Sequence, residues 1–455
     1  MSDSVHISDS EIYGVSWTTP ELRGLFSEQN RIKGWLEVMT VLAGVQADFG
    51  LIPKQAALEI ETFYNHLSID ETFLKDIGED FIKTNHSLLG LINAVKQRCG
   101  PLGGEWLCYG ATVQDITDTH IVRVLMSVRQ LFAEQLTELE KVLKTLAIEH
   151  RLTPMCGRTH GQPGLPITFG FKAAGWLDEF DRHRLRLNEL KTRLGVGQLC
   201  GGVGSLSSLG SNPLELQAAF MQRLGLEAPA ISWTSSRDRL AEWLNVLAMI
   251  TATGDRIGQE VFNLQRPEIA ELSEGFIPGA VGSITMPHKR NPEISEHLGT
   301  LSRVVRHHAA HMAESLVHSH ERDGRAWKSE WAIIPDATLA AGKSLMLLKS
   351  LIEGLQINAE RMLQNIEAMK GFIHAEKVML ALAEKIGKQS AHKLVYDIAM
   401  QSQEQNMPLK QALMQNSQIA SLLSEDEINS LFDLDKSVGC CAEMIDQVIA
   451  RINLP

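Results

Sequence analysis

Apolar residues recur every three or four positions through long stretches of this chain that contain no proline, which is the spacing of amphipathic helices. One such stretch runs from residue 119 to 151. A helix of about 30 residues is roughly 45 Å long, more than one compact domain ordinarily needs. The pattern therefore predicts an elongated bundle of long helices.

Four more stretches of this kind span residues 167–194, 236–266, 293–320 and 336–355. Several carry apolar or small residues around most of their circumference, as residues 248–252 do. Such a helix needs neighbours on every side, and we expect other subunits to supply them. Strand signals are weak, and the glycine- and serine-rich segment 195–210 is interpreted as a loop. The predicted fold is all-α.

Breaks in the helical pattern predict three helical domains. A glycine-rich segment, residues 100–110, ends the first, and the third begins near residue 358. The predicted boundaries are 1–105, 106–356 and 357–455, and the central domain holds the long-helix bundle. Within the first domain, Thr19-Pro20 is typical of a helix start, with threonine as the cap and proline as the first helical residue.

Composition excludes several functional classes. The net charge is −12, with 43 Lys and Arg against 55 Asp and Glu, so nucleic acid is a poor partner. No apolar run approaches the ~20 residues of a membrane span, and the six cysteines form no Cys-x-x-Cys pair. No signal peptide is recognisable, so we expect a cytoplasmic location. His307 and His311 lie one helical turn apart but lack the glutamate of a His-Glu-x-x-His zinc motif, so no metal is expected.

The segment from Gly279 to Pro292 has the composition of a functional loop. Its glycines allow unusual backbone angles. Asn291 is predicted to be an N-cap and Pro292 the first helical position, and the helix continues over 293–320. The N-terminus of a helix attracts anions, and Lys289 adds positive charge there. The loop is therefore predicted to bind a small anionic substrate.

This loop resembles the signature of the fumarase/aspartase superfamily in Gly282-Ser283, Met286-Pro287, Lys289 and Asn291-Pro292. Members of that superfamily are mostly lyases that eliminate across a carbon–carbon bond next to a carboxylate. The resemblance implies that Ser283 is the catalytic base and that Lys289 and Asn291 hold a substrate carboxylate. It implies no cofactor.

A second segment, residues 157–162, is also similar to the superfamily and is interpreted as a rigid loop between two prolines. Histidine exchanges protons near neutral pH. The resemblance implies that His160 protonates the leaving group, that Glu296 pairs with it, and that Thr159 contacts substrate.

Two further segments give substrate-binding candidates. Residues 109–119 resemble a carboxylate-binding segment and implicate Thr112 and Gln114, although Val113 stands where a serine hydroxyl is usual. Read without the resemblance, the segment is an ordinary polar helix start. His86 precedes a predicted helix. The matching turn of adenylosuccinate lyases carries an active-site histidine, so the resemblance makes His86 a substrate-binding candidate.

The resemblance covers nearly the whole chain and is greatest to the branch of adenylosuccinate lyases and 3-carboxy-cis,cis-muconate cycloisomerases. Residues that contact the nucleotide in the former fall on Ser16-Trp17, Trp233 and the segment 325–331, where this chain differs. We therefore expect a lyase that expels an amine from a succinyl-type dicarboxylate and releases fumarate. A lactonising cycloisomerase and a structural relative without activity are the alternatives. The resemblance further implies a homotetramer in which three chains build each active site.

Overall fold

The computed structural model describes residues 5–276, 279 and 281–452, and its described residues form twenty α-helices and four short strands. The helices before the first strand are α1 (Gly14–Trp17), α2 (Pro20–Leu25), α3 (Glu28–Asp48), α4 (Lys54–Asn65), α5 (Glu71–Thr84), α6 (Leu89–Lys96), α7 (Pro101–Trp106) and α8 (Val113–Glu149). The strands are β1 (Pro154–Thr159), β2 (Gln162–Thr168), β3 (Leu272–Ser273) and β4 (Gln356–Ile357). Then come α9 (Phe169–Leu194), α10 (Pro213–Arg223), α11 (Asp238–Leu264), α12 (Glu293–Glu314), α13 (Gly324–Gly354), α14 (Ala359–Ala368), α15 (Ala375–Ile386), α16 (Lys388–Glu404), α17 (Leu409–Gln415), α18 (Ser417–Leu422), α19 (Glu425–Leu431) and α20 (Cys441–Arg451). The predicted all-α fold is confirmed.

The five long helices predicted from periodicity are α8, α9, α11, α12 and α13, and their bounds differ from the prediction mainly at one end. Helix α13 begins at Gly324, well before the predicted start at residue 336, and contains Pro335. Proline removes one helical hydrogen bond, but Ile333, Ile334 and Ala337 around it are buried. The burial of these side chains holds the helix together where the sequence pattern predicted a boundary.

The chain divides into two compact units, each built from three segments. The first comprises Met1–Gln135, His183–Ala252 and Thr300–Met346, and the second Leu136–Arg182, Thr253–Gly299 and Leu347–Pro455. Each of the five long helices contributes residues to both units. The three-domain division stays a prediction. No helix of the described residues is both long and apolar enough to cross a membrane.

Aromatic stacking and a glycine join three long helices in the first unit. The ring of Phe132 on α8 stacks on Trp243 of α11, with centroids 6.0 Å apart. The indole N–H of Trp243 donates to the hydroxyl of Thr338 on α13 at 3.1 Å. A Cβ on Gly342 of α13 would lie 3.1 Å from the ring of Phe132 and 2.0 Å from a methyl carbon of Leu22 on α2, so a larger residue there would displace both side chains.

Two apolar clusters stabilise the second unit. The smaller one contains Cys156 of β1 together with Ile366 and Ile373. The larger one lies among the C-terminal helices and comprises Val378, Leu382, Ala391, Val395, Ile398, Ala399, Leu409, Leu413, Ile419, Leu423 and Ile428. The first cluster anchors the β1–β2 segment, on which one candidate catalytic residue lies.

Candidate active site

The loop that carries Ser283 is closed at its base by two contacts. The side-chain amide of Asn291 donates a 2.7 Å hydrogen bond to the carbonyl of Gly282. A Cβ on Gly282 would lie 2.5 Å from the carbonyl oxygen of Lys289, so glycine is required there. Ala280 lies outside the described residues. Residues 282–291 therefore form a closed segment, which we call the serine loop.

Ser283 begins a tight turn within the serine loop. Its Oγ accepts the backbone N–H of Met286 at 3.1 Å and lies 3.5 Å from the hydroxyl of Thr285. An N–H that donates to a neutral hydroxyl also stabilises the alkoxide formed from it. Ile284 beside it is 98% exposed, so the tip of the loop faces solvent in the single chain. Lys289, whose N–H closes the next turn on the carbonyl of Met286, is also exposed.

The prediction that Asn291 caps α12 is wrong. Helix α12 begins at Glu293, and the carbonyl of Pro292 accepts the N–H of Glu296 at 3.0 Å, so Pro292 occupies the cap position. Asn291 instead donates to Gly282 and to the carboxylate of Glu293. Glu296, the predicted partner of His160, lies exposed in the first turn of α12.

The N–H groups predicted to attract a substrate anion already bind an anion of the protein. The carboxylate of Glu274 accepts the backbone N–H groups of Ile294 at 3.1 Å and of Ser295 at 2.7 Å. A carboxylate at this position also interacts favourably with the helix dipole. Glu274 therefore caps α12 from 20 residues upstream, a distance at which no local sequence signal reveals a cap.

His160 lies at the tip of a β-hairpin, so the prediction of a rigid loop over residues 157–162 is wrong. Strands β1 and β2 pair antiparallel, and Thr159 faces Gln162. The two residues between them, His160 and Gly161, have φ of 52° and 75°. Two-residue hairpin turns of type I′ need positive φ at both positions. His160 and Thr159 are consequently presented to solvent on a short, defined turn.

A buried ion pair fixes the hairpin to its own unit. Both terminal nitrogens of Arg158 donate to the fully buried carboxylate of Glu271, at 2.8 and 2.7 Å. Asn365 on α14 donates to the same carboxylate at 2.8 Å. No hydrogen bond or ion pair of the described residues joins His160 to Ser283. The catalytic pairing of the two stays a prediction.

In the first unit, Asp115 organises the segment that contains Thr112. Its carboxylate accepts the backbone N–H groups of Thr112, Cys200 and Gly201 at 2.9, 2.8 and 3.0 Å. Burial raises the pKa of Asp115 to about 6, although the three N–H donors oppose that shift. The start of α8 is thereby tied to the predicted loop 195–210, which the structure confirms as irregular.

Gln114 is completely buried, and its amide nitrogen lies 3.3 Å from both Asp118 and the carbonyl of Thr234. Its amide oxygen is buried and has no hydrogen-bond partner. An unpaired buried acceptor is costly. In this conformation Gln114 faces the protein interior, and its predicted contact with substrate is not tested.

Next to Gln114 lies a buried charge cluster that the sequence did not reveal. The guanidinium of Arg237 is fully buried, donates to both oxygens of Asp118 at 2.7 and 3.0 Å, and donates to both oxygens of Glu330 at 2.8 and 2.6 Å. Burial alone would lower the pKa of Arg237, but the two carboxylates raise it above its ordinary value. Arg237 and Arg239 both lie over the ring of Trp233, at 4.8 and 4.6 Å from its centroid.

His86 occupies the turn before α6, and its Nδ1 accepts the backbone N–H of Leu89 at 3.1 Å. This bond places the proton of the neutral ring on Nε2. Among the described residues no group of three or more His, Cys, Asp or Glu side chains is arranged to hold a metal ion.

Comparison with known proteins places these features in a family. A family model described as "Lyase" matches residues 14–306, and one described as "Adenylosuccinate lyase C-terminus" matches residues 371–448. The chain belongs to this lyase family, within the fumarase/aspartase superfamily. The predicted branch of adenylosuccinate lyases and muconate cycloisomerases is confirmed, because the chain is similar to members of both groups.

The chain is 37% identical to an N-acetyl-S-(2-succino)cysteine lyase of Dickeya dadantii over 98% of this chain and 97% of that protein. It is 35% identical to the adenylosuccinate lyase of Methanocaldococcus jannaschii over 95% of this chain and 94% of that protein. The crystal structure of a 3-carboxy-cis,cis-muconate lactonizing enzyme from Pseudomonas putida superimposes with a TM-score of 0.88 at 29% identity, over 97% of this chain and 98% of that one.

Proposed function

We propose that this lyase removes a leaving group from a substrate that carries a 2-succinyl unit and releases fumarate. The observation that carries the proposal is the closed serine loop, in which the Ser283 oxygen already accepts the N–H of Met286, and Lys289 brings positive charge to the same loop. Similarity over 98% of the chain to a lyase of a succinylated thiol supports it. The substrate is therefore a small dicarboxylate.

The reaction requires a proton to leave the carbon beside a carboxylate. The Ser283 alkoxide takes this proton, and the carboxylate of the resulting carbanion accumulates negative charge, which Lys289 stabilises. The electron pair then forms the double bond of fumarate as the bond to the leaving group breaks. The leaving group departs with its bonding pair and takes up a proton from His160. The proton held on Ser283 returns to solvent and His160 takes one up from solvent, which restores both groups.

We propose sulfur as the leaving atom, ahead of the amine that the sequence favoured. The relative from Dickeya dadantii is named for a succinylated thiol. A thiol has a pKa of about 8.5 and departs as a thiolate with little assistance. An amine must be protonated to leave, so a thioether substrate makes smaller demands on His160.

A panel of substrates tests this proposal. N-acetyl-S-(2-succinyl)cysteine, N-(2-succinyl) amines and 3-carboxymuconate are each incubated with the lyase, and fumarate is followed by absorbance and thiol by a colorimetric assay. We expect fumarate and thiol in equal amounts from the thioether. Fumarate from the succinyl amines alone would restore the amine as leaving group.

The second candidate is the lactonising reaction, favoured by the structural similarity to the Pseudomonas putida enzyme. Both reactions pass through a carbanion next to a carboxylate, so the serine loop serves either. Consumption of 3-carboxymuconate without turnover of any succinyl compound would favour this candidate.

A further inference from the structure

The segment that precedes the serine loop is fixed within the second unit by contacts of its backbone. Strand β3 pairs antiparallel with β4. The backbone N–H of Glu274 donates to the side-chain oxygen of Gln265 at 2.9 Å. A Cβ on Gly275 would lie 2.7 Å from the carbonyl oxygen of Gly354, so the two backbones are in close contact there. Residues 272–275, which we call the anchor segment, are therefore held along their whole length.

Glu274 also connects the anchor segment to α12. Its carboxylate accepts two backbone N–H groups at the start of that helix. In sequence the serine loop lies between these two connected elements. Contacts between the loop and the anchor segment therefore help to determine where Ser283 and Lys289 stand.

Phe276, the residue after the anchor segment, makes such a contact. The guanidinium carbon of Arg290 lies 4.3 Å from the centroid of the Phe276 ring. The face of an aromatic ring attracts a cation that lies within about 6 Å of its centroid. Among the described residues Arg290 has no hydrogen bond or ion pair that involves its side chain, so the ring is the group that attracts this guanidinium.

Arg290 in turn lies against the residue that precedes Ser283. A Cβ on Gly282 would lie 3.3 Å from the Cα of Arg290 and 3.3 Å from the backbone nitrogen of Asn291. A displacement of Arg290 therefore moves the backbone beside Ser283. It also moves Lys289, its neighbour in the chain. The Phe276 ring thus acts on both candidate residues through one intermediate side chain.

We propose that Phe276 is a positioning residue for the proposed reaction. Its ring holds Arg290, and through Arg290 it keeps the serine loop in the conformation that presents Ser283 and Lys289 to the substrate. The inference rests on the proposed function and deepens it, since it adds a residue outside the serine loop on which the proton transfer depends. A small displacement of a catalytic base lowers the rate of proton transfer. In this proposal neither Phe276 nor Arg290 touches the substrate.

Phe276→Leu tests the contact, because it keeps an apolar side chain and removes the ring face. We expect it to lower kcat/KM for N-acetyl-S-(2-succinyl)cysteine by about 2- to 5-fold, the factor that corresponds to an exposed cation–π contact. Phe276→Trp keeps a ring face at a position that is 55% exposed and should retain the wild-type rate. Lys410→Met removes the cation from a contact with Phe432 and is the control, which should also retain that rate.

Arg290→Met removes the other partner of the same contact. If the ring and the guanidinium act as one unit, the variant that carries both substitutions should lose about the same 2- to 5-fold as either single variant. Losses that multiply in the double variant would overturn the inference. A loss confined to Arg290→Met would mean that its cation acts on the substrate directly, and it would overturn the inference as well.

Hydrogen exchange measures the order of the serine loop without turnover. The N–H of Met286, which donates to the Ser283 oxygen, and the N–H of Lys289, which donates to the carbonyl of Met286, report on this order. We expect both to exchange about 2- to 5-fold faster in Phe276→Leu than in wild type, and at the wild-type rate in Lys410→Met.

Equal exchange of these two N–H groups in wild type and Phe276→Leu would overturn the inference and leave the proposed function standing. Failure to release fumarate from any succinyl thioether would instead refute the proposed reaction. The exchange rates would then still decide whether Phe276 holds the serine loop.

Discussion

At the scale of single residues, one fully buried and one half-buried carboxylate determine how the candidate site is held. Glu271 is fully buried and satisfied by Arg158 and Asn365, so it fixes the base of the hairpin that presents His160. Glu274 plays a corresponding part for α12. In both cases a glutamate that is distant in sequence accepts hydrogen bonds, from the hairpin in one case and from the helix N-terminus in the other. We expect substitution of Glu271 or Glu274 to lower the free energy of unfolding more than substitution of an exposed candidate catalytic residue does.

Arg158→Met should destabilise the protein strongly, because it leaves the Glu271 carboxylate buried without its partner. Removal of one partner from a buried pair costs about 3–5 kcal/mol of unfolding free energy. Urea denaturation measures the change. Arg193→Met, which breaks an exposed pair with Glu242, is the control and should be indistinguishable from wild type. Equal effects of the two substitutions would contradict this account of the hairpin.

At the scale of secondary structure, the sequence predicts the long helices well and the ends and turns poorly. The periodicity of α8 comes from its own residues, so it is visible in the sequence. The cap of α12 could not be predicted because it depends on Glu274, far from the helix in sequence. The β1–β2 hairpin could not be predicted because it contains glycine and prolines, which are rare in strands. The buried group around Arg237 joins α8 and α13 to the residue before α11 and has no local signature. These features depend on tertiary contacts that no local pattern encodes.

The contact between α3 and α8 predicts a dependence of stability on pH. Gly34 leaves room for the ring of His120, whose Nδ1 lies 2.1 Å from where a Cβ would stand. Burial, helped by Arg123 and Arg31, lowers the pKa of His120 to about 4. At His120 the unfolded chain therefore binds more protons between pH 6.5 and 4, and the contribution of this residue to stability falls as the pH falls through that range, by about 3 kcal/mol. The raised pKa of Asp115 acts in the opposite direction below about pH 6.

Denaturation midpoints of wild type and His120→Gln over this pH range test the prediction. The variant should lose the part of the pH dependence that His120 causes, whereas His392→Gln, at an exposed position, should retain it. A pH dependence in His120→Gln equal to that of wild type would show that other groups cause it.

At the scale of the whole molecule, the candidate residues are divided between the two units. His86, Thr112 and Gln114 belong to the first unit, and Thr159, His160, Ser283, Lys289, Asn291 and Glu296 belong to the second. We propose that a homotetramer assembles each active site from the Thr112, His160 and Ser283 regions of three chains. The exposed positions of His160 and of the serine loop are consistent with contacts supplied by neighbouring chains.

Subunit mixing tests this assembly. When inactive His160→Ala and Ser283→Ala chains are co-expressed, random mixing leaves about a quarter of the sites with both native residues, so about a quarter of wild-type activity should return. Ser283→Ala mixed with Lys289→Ala is the matched control and should stay inactive, because both changes lie in one loop. Absence of recovery in the first mixture would mean that one chain supplies both residues.

The role of Ser283 as base is tested most directly by one measurement, the rate of fumarate release from N-acetyl-S-(2-succinyl)cysteine by wild type, Ser283→Ala and Ser205→Ala. Ser205 is an exposed serine of the loop 195–210 and serves as the control. We predict that Ser205→Ala retains the wild-type rate and that Ser283→Ala loses it by roughly 10³-fold or more, with its assembly unchanged. A Ser283→Ala variant that releases fumarate at the wild-type rate would contradict the account.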